Sequence, residues 1–407
     1  MTRVTVLSRA VKGQVSGLSP FTPGSSAMPD VVDGECDARL EEVRELLNEN
    51  IAYGKEVGVS LAVDLRGESV LDLWGGHRDA AKTMEWTRDT IVNVWSSTKM
   101  VTNLAALMLA DRGLLDVHAP VARYWPEFAA QGKSHIEVRH LMSHTSGLSG
   151  WDGPVVTEDL YDLPGATARL ARQVPWWPPG TASGYHSNSQ GHLIGELVRR
   201  VSGLSLTEFI RTEIAAPLGA DFQIGVRPDD DARVAEIIPP PPYAFDFAAA
   251  DPDDIMVKTF ARPLIDAATA NTRAWRRAEL GAVNGHGNAR SLSRILSAVS
   301  AGGSVGGVRL LRPSTIDLIF EEQAHGVDLV LGLPMRWGIG YARSEPQSLP
   351  YIDQGRTCFW GGWGGSLTVM HPDRGLTISY VMNQMSAGVI GSERSAEYVT
   401  AIYQALG

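Results

Sequence analysis

The chain has 407 residues, of which 44% are hydrophobic and 20% charged, and it carries a formal net charge of −10. This length suffices for one large domain or two lobes with a sizeable core, and the composition is typical of a soluble globular enzyme. The acidic balance argues against nucleic acid and anionic membrane surfaces as partners.

The first 30 residues differ from the rest of the chain because they are rich in Ser, Gly, Pro and Thr. They contain no apolar run of the kind that a secretory signal requires. We therefore interpret 1–30 as a flexible N-terminal extension, or as residues upstream of a start at Met28, and 31–407 as the folded domain.

No segment of the sequence approaches the roughly 18 apolar residues of a transmembrane helix. We expect no membrane span and, without a secretory signal, a cytoplasmic protein. Cys36 and Cys358 are the only cysteines, too few for a disulfide framework or a cysteine metal site. Both are expected to be free thiols, which fits a reducing compartment.

Hydrophobic periodicity predicts regular elements at both ends of the chain. Helices are expected at about 36–53 and 392–406. Strands are expected at 58–65, 69–75, 366–371 and 376–383.

Ser96 is followed three residues later by Lys99, at the start of an apolar helix that runs to about Leu115. Positions i and i+3 lie on one face of a helix, so the lysine amine can approach the serine hydroxyl. A serine hydroxyl needs such a base, and a helix N-terminus adds free N–H groups beneath it. The tetrapeptide alone is equally compatible with an N-cap serine and a surface lysine. The neighbouring Ser97 has Met100 at its +3 position, which cannot act as a base.

Tyr185 and Ser187 stand just before a second apolar helix, in the segment 184–188. A tyrosine hydroxyl serves as a general base when cations depress its pKa, and Lys99 is a candidate for that cation. Ser187 is a candidate for completing a hydrogen-bond relay. An isolated Tyr-x-Ser is more simply a loop tyrosine at a helix cap.

A Pro- and Ala-rich insertion opens with four prolines at 239–242 and runs to about Leu280. A polyproline stretch is semi-rigid and makes no internal hydrogen bonds, so we expect a surface loop; a wall of the substrate pocket is the alternative. Four tryptophans also fall in predicted loops, and one or two of them are expected to line the site. They are Trp151, Trp176, Trp177 and Trp337.

Glycines surround Trp360 in a third block, 359–366. Gly361 and Gly362 would let a substrate approach the backbone closely at a strand edge. A backbone N–H of this block, paired with that of Ser96, would form an oxyanion hole. In isolation, a glycine-rich hairpin is the simpler interpretation.

Two further motifs are interpreted as coincidental. Ser304 lies in a Gly-x-Ser-x-Gly sequence that follows a helix, whereas a nucleophile elbow needs a strand before the serine and a helix after it. His140 and His144 have the i, i+4 spacing of a zinc pair but lack the glutamate of His-Glu-x-x-His. We expect neither a metal nor another cofactor.

The blocks Ser-x-x-Lys at 96–99, Tyr-x-Ser at 185–187 and Trp-Gly-Gly at 360–362 resemble those of the serine β-lactamase-like superfamily. This superfamily includes class C β-lactamases, penicillin-binding proteins and D-aminopeptidases. The sequence Leu-Met-Ser-His-Thr-Ser-Gly-Leu resembles another signature of the superfamily, and other segments are similar to its family VIII carboxylesterase branch. The resemblance covers roughly 32–407. The segments concerned are 141–148, 184–186, 195–200, 284–290 and 380–383.

The resemblance implies an α+β fold, with an antiparallel sheet flanked by helices and a mostly helical lobe at roughly 98–284 inserted into it. It also implies an acyl-enzyme on Ser96, with Lys99 and Tyr185 as the acid and the base. The sequence does not settle which of the two is the base. The N–H groups of Ser96 and Trp363 would hold the oxyanion. The residues that it implies for substrate binding are Ser187, Trp360, Gly361 and Gly362.

One departure from the superfamily pattern bears on the substrate. β-Lactamases and penicillin-binding proteins have Lys-Thr-Gly in the third block, where the lysine helps to hold a substrate carboxylate. Trp360 offers only an indole N–H and an apolar face. We therefore expect a serine hydrolase of small-molecule carboxylic esters. An acyltransferase that uses the same acyl-enzyme, and a β-lactamase or D-peptidase-type amide hydrolase, are the alternatives.

Overall fold

The computed structural model describes residues 31–242, 247 and 249–407. The predicted extension, 1–30, and Tyr243, which follows the four prolines, lie outside the described residues. Within these ranges, no helix combines the length and the apolar character that a membrane crossing demands. Both cysteines are free thiols, as predicted.

A nine-stranded antiparallel sheet joins the two ends of the described chain, in the order β1-β3-β2-β14-β13-β12-β11-β10-β9. Strands β2 and β14 pair with Leu61 opposite Tyr380, which confirms that strands from both ends share one antiparallel sheet. The strands in chain order are β1 Val32–Cys36, β2 Gly58–Leu65, β3 Glu68–Gly76, β4 Val92–Asn93, β5 Gln223–Ile224, β6 Gly285–Gly287, β7 Ser304–Val305, β8 Val308–Arg309, β9 Ala324–Val327, β10 Pro334–Trp337, β11 Ala342–Arg343, β12 Cys358–Gly361, β13 Leu367–His371 and β14 Leu376–Met382.

Helices pack on this sheet, and most of the regular elements between β4 and β6 are helical. The helices are α1 Glu41–Ala52, α2 Thr98–Asp111, α3 Val138–Met142, α4 Leu163–Arg172, α5 Ser189–Ser202, α6 Leu206–Phe209, α7 Ala216–Leu218, α8 Ile255–Ala261, α9 Arg273–Arg277, α10 Ala289–Ser300, α11 Pro313–Ile319 and α12 Glu393–Leu406. Helix α10 packs on β2, β13 and β14. The predicted first and last helices, α1 and α12, pack against each other, and Asn50 donates a hydrogen bond of 3.0 Å to the Tyr398 hydroxyl.

Helix α2 carries the candidate nucleophile at its start. Every residue from Thr98 to Leu109 is buried, and a helix that is buried all round belongs to the core. It packs against α5 and α10. The helix ends at Asp111, four residues earlier than predicted, because Gly113 takes a left-handed conformation (φ +71°) that closes the turn.

A second, small sheet fixes the chain just before α2. Strand β6 lies between β4 and β5, and the N–H of Val94 donates to the carbonyl of Gly285 at 2.9 Å. The N–H of Gly285 in turn donates to the Thr98 hydroxyl at 2.8 Å. A Cβ at Gly285 would collide with Thr98 and with the Phe222 ring, so only glycine allows this approach. The segment 284–290 thus anchors the start of α2.

Ser304 lies on an exposed hairpin formed by β7 and β8, after α10. A strand does not lead directly into a helix at this serine. The strand–serine–helix order that a nucleophile elbow requires is therefore not found at Ser304.

Candidate active site

Ser96 lies in a tight connection between β4 and α2. The preceding residue, Trp95, has φ +48°, in the left-handed region that a bulky side chain rarely adopts. Such backbone strain is characteristic of functional sites. The hydroxyl of Ser97, the competing serine, lies 3.0 Å from that of Ser366, which itself donates to the carbonyl of Val94. Ser97 therefore takes part in a structural hydrogen-bond network.

Two side chains meet at the Ser96 hydroxyl. The amine of Lys99 lies 3.0 Å from Ser96 Oγ, and the hydroxyl of Tyr185 donates to the same atom at 2.7 Å. Ser96 is 5% exposed, Lys99 1% and Tyr185 0%. The structure therefore brings together the serine, the lysine and the tyrosine that the motifs singled out.

Lys99 is held by two backbone carbonyls besides the serine. Its Nζ lies 2.6 Å from the oxygen of Ser187 and 3.0 Å from that of Ala282. The predicted relay residue Ser187 thus reaches the lysine through its backbone and not through its hydroxyl. Three oxygens would satisfy an ammonium, but they would equally satisfy an uncharged amine, whose two N–H groups face the carbonyls and whose lone pair faces Ser96.

Burial decides between these two forms of Lys99. No carboxylate among the described residues forms an ion pair with it, and burial lowers its pKa well below the ordinary value. A buried ammonium without a counter-charge is costly, so this burial favours the neutral amine. A neutral amine accepts a proton, and Lys99 is the group of the site that is suited to act as the base.

Tyr185 has the opposite character. Burial raises the pKa of its phenol above the ordinary value, so Tyr185 stays protonated and donates to Ser96. Lys99 was the candidate for a cation that depresses this pKa. Its Nζ is 4.8 Å from the centre of the tyrosine ring, but burial has the larger effect on the phenol and acts in the opposite direction. Tyr185 is suited to the role of an acid.

Side chains of the segment 144–146 hold the loop that carries Tyr185. The ring Nδ1 of His144 accepts the N–H of His186 at 3.0 Å, and the hydroxyl of Ser146 lies 2.7 Å from His186 Nε2. Burial lowers the pKa of His144 well below the ordinary value, so its ring is neutral and can accept this bond. The histidine of the zinc-like pair therefore positions a loop.

The third block supports the site from behind. Trp360 is 2% exposed and packs on the Tyr185 ring, with ring centres 5.0 Å apart. A Cβ at Gly362 would collide with the carbonyl of Val94, so this glycine allows β12 to approach the chain before Ser96. The N–H of Gly362 is already bonded to the Ser366 carbonyl at 2.8 Å. The expectation that Trp360 faces the substrate is corrected, because it supports the ring of Tyr185.

A cavity of about 140 Å³ opens above Ser96. Its described lining contains no charged side chain. Helix α8, whose residues Met256 and Phe260 are one turn apart, contributes one wall. The lining residues are Trp95, Ser96, Tyr185, Ser187, Asn188, Phe247, Met256, Phe260, Pro263, Leu264, Ile265, Val283, Trp363 and Val389.

This lining corrects two expectations. The Pro- and Ala-rich insertion forms a wall of the cavity instead of a plain surface loop, because α8 and the turn after it lie over Ser96. None of the four tryptophans singled out from predicted loops lines the cavity. Trp337, for example, is 1% exposed and belongs to strand β10. The spacing of Met256 and Phe260 is a sequence signal that could have indicated an apolar helix face, although it does not say what that face covers.

Comparisons with known proteins agree on one relationship. A family model described as Beta-lactamase matches residues 43–398. Esterase/beta-lactamase LipL of Mycobacterium tuberculosis (strain ATCC 25618 / H37Rv) is 33% identical over 348 residues, which cover 83% of this chain and 80% of that protein. The crystal structure of a family VIII carboxylesterase is 36% identical with a TM-score of 0.86, and the match covers 92% of this chain and 99% of that one. A penicillin-binding protein homolog from Caulobacter crescentus is 34% identical with a TM-score of 0.84 and the same coverage.

The neutral state of Lys99 predicts a pH-dependent cost to stability. The unfolded chain binds a proton on this lysine up to about pH 10, whereas the folded chain does not, so stability rises with pH across that window. Replacing Lys99 by Met removes the free-energy cost of releasing this proton on folding. We expect the thermal midpoint of Lys99→Met minus that of wild type to be larger at pH 7 than at pH 10. Lys55→Met, at an exposed position, is the control. If the difference in thermal midpoint between Lys99→Met and wild type does not change with pH, a neutral Lys99 is contradicted.

Proposed function

This chain belongs to the beta-lactamase family, and from that membership and the geometry of its site we propose that it is a serine hydrolase that cleaves carboxylic esters through an acyl-enzyme on Ser96. The family is the one that the three motif blocks indicate, and its antiparallel sheet with packed helices is the fold that the resemblance implied. One observation carries the proposal: the buried Ser96 hydroxyl lies 3.0 Å from a lysine amine and 2.7 Å from a tyrosine hydroxyl.

Acylation uses the two neighbours of Ser96 in different roles. Lys99 Nζ takes the proton of the serine hydroxyl as Oγ attacks the ester carbonyl. Tyr185 gives its proton to the leaving alkoxide when the tetrahedral intermediate collapses. The ammonium formed on Lys99 then returns a proton to the tyrosine, which restores the neutral pair. By the family resemblance, the N–H groups of Ser96 and Trp363 hold the oxyanion; both residues line the cavity.

Deacylation repeats the same steps with water. Water replaces the departed alcohol, gives a proton to Lys99 and attacks the acyl carbonyl. Collapse of the second intermediate releases the acid, and the ammonium on Lys99 returns its proton to Ser96 Oγ. An alcohol in place of water would give acyl transfer from the same intermediate. An added alcohol acceptor separates the two outcomes, because transfer yields a new ester and hydrolysis yields the free acid.

The cavity favours neutral esters over β-lactams and peptides. A β-lactam or a peptide end carries a carboxylate, and the described lining offers it no cationic side chain. A volume of about 140 Å³ is comparable to an apolar cavity that holds benzene. We therefore assign the cavity to a compact apolar acyl or alcohol group of a small-molecule ester.

The first prediction concerns the nucleophile. Ser96→Ala is expected to abolish hydrolysis of p-nitrophenyl butyrate with the thermal midpoint retained, and Ser304→Ala, at the exposed hairpin, is the matched control with wild-type turnover. A fluorophosphonate should add one adduct to the wild-type mass, and peptide mapping should place it on Ser96. An adduct on Ser97 or Ser304 would contradict the assignment.

The second prediction concerns the substrate class. A neutral p-nitrophenyl ester is expected to have a much higher kcat/KM than nitrocefin, because the nitrocefin carboxylate finds no cation in the described lining of the cavity. Both rates are measured on one preparation, with Ser96→Ala as the blank. A higher kcat/KM for nitrocefin would replace the esterase proposal with a β-lactamase.

The third prediction concerns acyl length. Phe260→Ala enlarges the cavity, so the ratio of kcat/KM for p-nitrophenyl octanoate to that for the acetate should rise by about tenfold or more, since apolar discrimination is worth about 1–3 kcal/mol per methylene. Phe320→Ala, a partly buried phenylalanine outside the cavity lining, should leave the ratio unchanged. An unchanged ratio in Phe260→Ala would remove α8 from the acyl-binding wall.

A further inference from the structure

A fully buried carboxylate lies behind Tyr185. Asp328 is 0% exposed and follows strand β9 in the connection to β10. Its Oδ1 accepts the N–H of Tyr185 at 2.9 Å and those of Val330 and Leu331 at 3.0 Å each. Its Oδ2 accepts the indole N–H of Trp337 at 3.2 Å.

Within the described chain, every hydrogen-bond partner of the Asp328 carboxylate is an N–H group. A carboxylate is an acceptor only, and four N–H donors match that capacity without any lysine or arginine. Two of these donors belong to the connection itself, so part of the arrangement is a local turn. The other two come from elsewhere, and both of them bear on Tyr185.

The two distant contacts fix Tyr185 at its backbone and at its ring. The N–H of Tyr185 is bound directly. The indole of Trp337 lies parallel to the Tyr185 ring, with ring centres 6.5 Å apart and an interplanar angle of 4°. The tyrosine side chain rotates about its χ1 and χ2 bonds. The direction of its hydroxyl is therefore fixed only when both the backbone of Tyr185 and the plane of its ring are held.

We propose that Asp328 is a positioning residue for the reaction, which holds Tyr185 and Trp337 so that the tyrosine hydroxyl points at Ser96 Oγ. The inference rests on the proposed function, because it assigns Asp328 to the acid step of that chemistry. It goes beyond the motif blocks, since Asp328 lies in none of them. A misplacement of the order of 1 Å is enough to cost about a hundredfold in rate.

Asp328→Asn tests this role with little change in volume. An amide presents one oxygen and one NH₂ group, so it cannot accept from both the Tyr185 N–H and the Trp337 indole. We expect kcat for p-nitrophenyl butyrate to fall by about tenfold to a hundredfold, with KM changed by less than about threefold. Asp79→Asn is the matched control, because Asp79 is also buried and accepts the N–H groups of Thr83 and Met84 in its own loop. It should keep wild-type kcat.

A double-mutant cycle separates positioning from a general structural effect. In the Tyr185→Phe background no hydroxyl remains to be aimed, so adding Asp328→Asn should lower kcat by less than about twofold. An equal loss in both backgrounds would overturn the inference while leaving the esterase proposal intact. A wild type without Ser96-dependent ester turnover would overturn both.

A milder variant covers the case in which Asp328→Asn does not fold. Trp337→Phe removes the indole donor and reduces the size of the ring, but it leaves the backbone contacts of the carboxylate in place. It should lower kcat in the wild-type background and have little effect in the Tyr185→Phe background. A wild-type kcat in Trp337→Phe, together with a wild-type thermal midpoint, would overturn the ring-fixing part of the inference and with it the proposal.

Discussion

A lysine amine buried without a counter-charge is the constraint on which this site depends. Lys99 lies inside the core helix α2, and no carboxylate of the described chain neutralises it. An ammonium in this position would be costly, so burial favours a neutral amine, the form that we propose accepts the proton of Ser96. The same burial keeps the Tyr185 phenol protonated. One physical cause, exclusion of water, therefore supports both the base and the acid that we propose beside the Ser96 hydroxyl.

The remainder of the fold holds these groups in register. The lysine links α2 to the carbonyls of Ser187 and Ala282, which lie on segments far apart in the sequence. His144 and Asp328 fix the loop that carries Tyr185, and Trp360 packs behind its ring. The apolar cavity above Ser96 then adjoins these groups, and its described lining carries no charged side chain.

Much of the site could be predicted because its reacting residues lie in short local patterns. Ser96 and Lys99 are one helical turn apart, and Tyr185 stands at the start of another apolar helix, so spacing and the order of the blocks identified them. The strands at 58–65 and 376–383 were clear from their apolar runs. Pairing across more than 300 residues came only from the resemblance, since periodicity carries no information about partners.

What could not be predicted depends on contacts between distant segments. Trp360 was placed against the substrate because its motif suggests that location, but in the structure it packs at an angle against the Tyr185 ring. Asp328 gives no sequence signal, since its partners are mostly backbone N–H groups that any residue supplies. The insertion after the four prolines has the composition of a loop, and only tertiary packing shows α8 as a wall of the cavity.

Neutron diffraction from a deuterated crystal near neutral pH tests the central claim most directly, because it locates the hydrogens of the site. The account predicts two deuterons on Lys99 Nζ, directed at the carbonyls of Ser187 and Ala282. It further predicts the Ser96 deuteron directed at the amine and the Tyr185 deuteron directed at Ser96 Oγ. Three deuterons on Lys99 Nζ beside a bare phenolate oxygen on Tyr185 would contradict it and exchange the roles of base and acid.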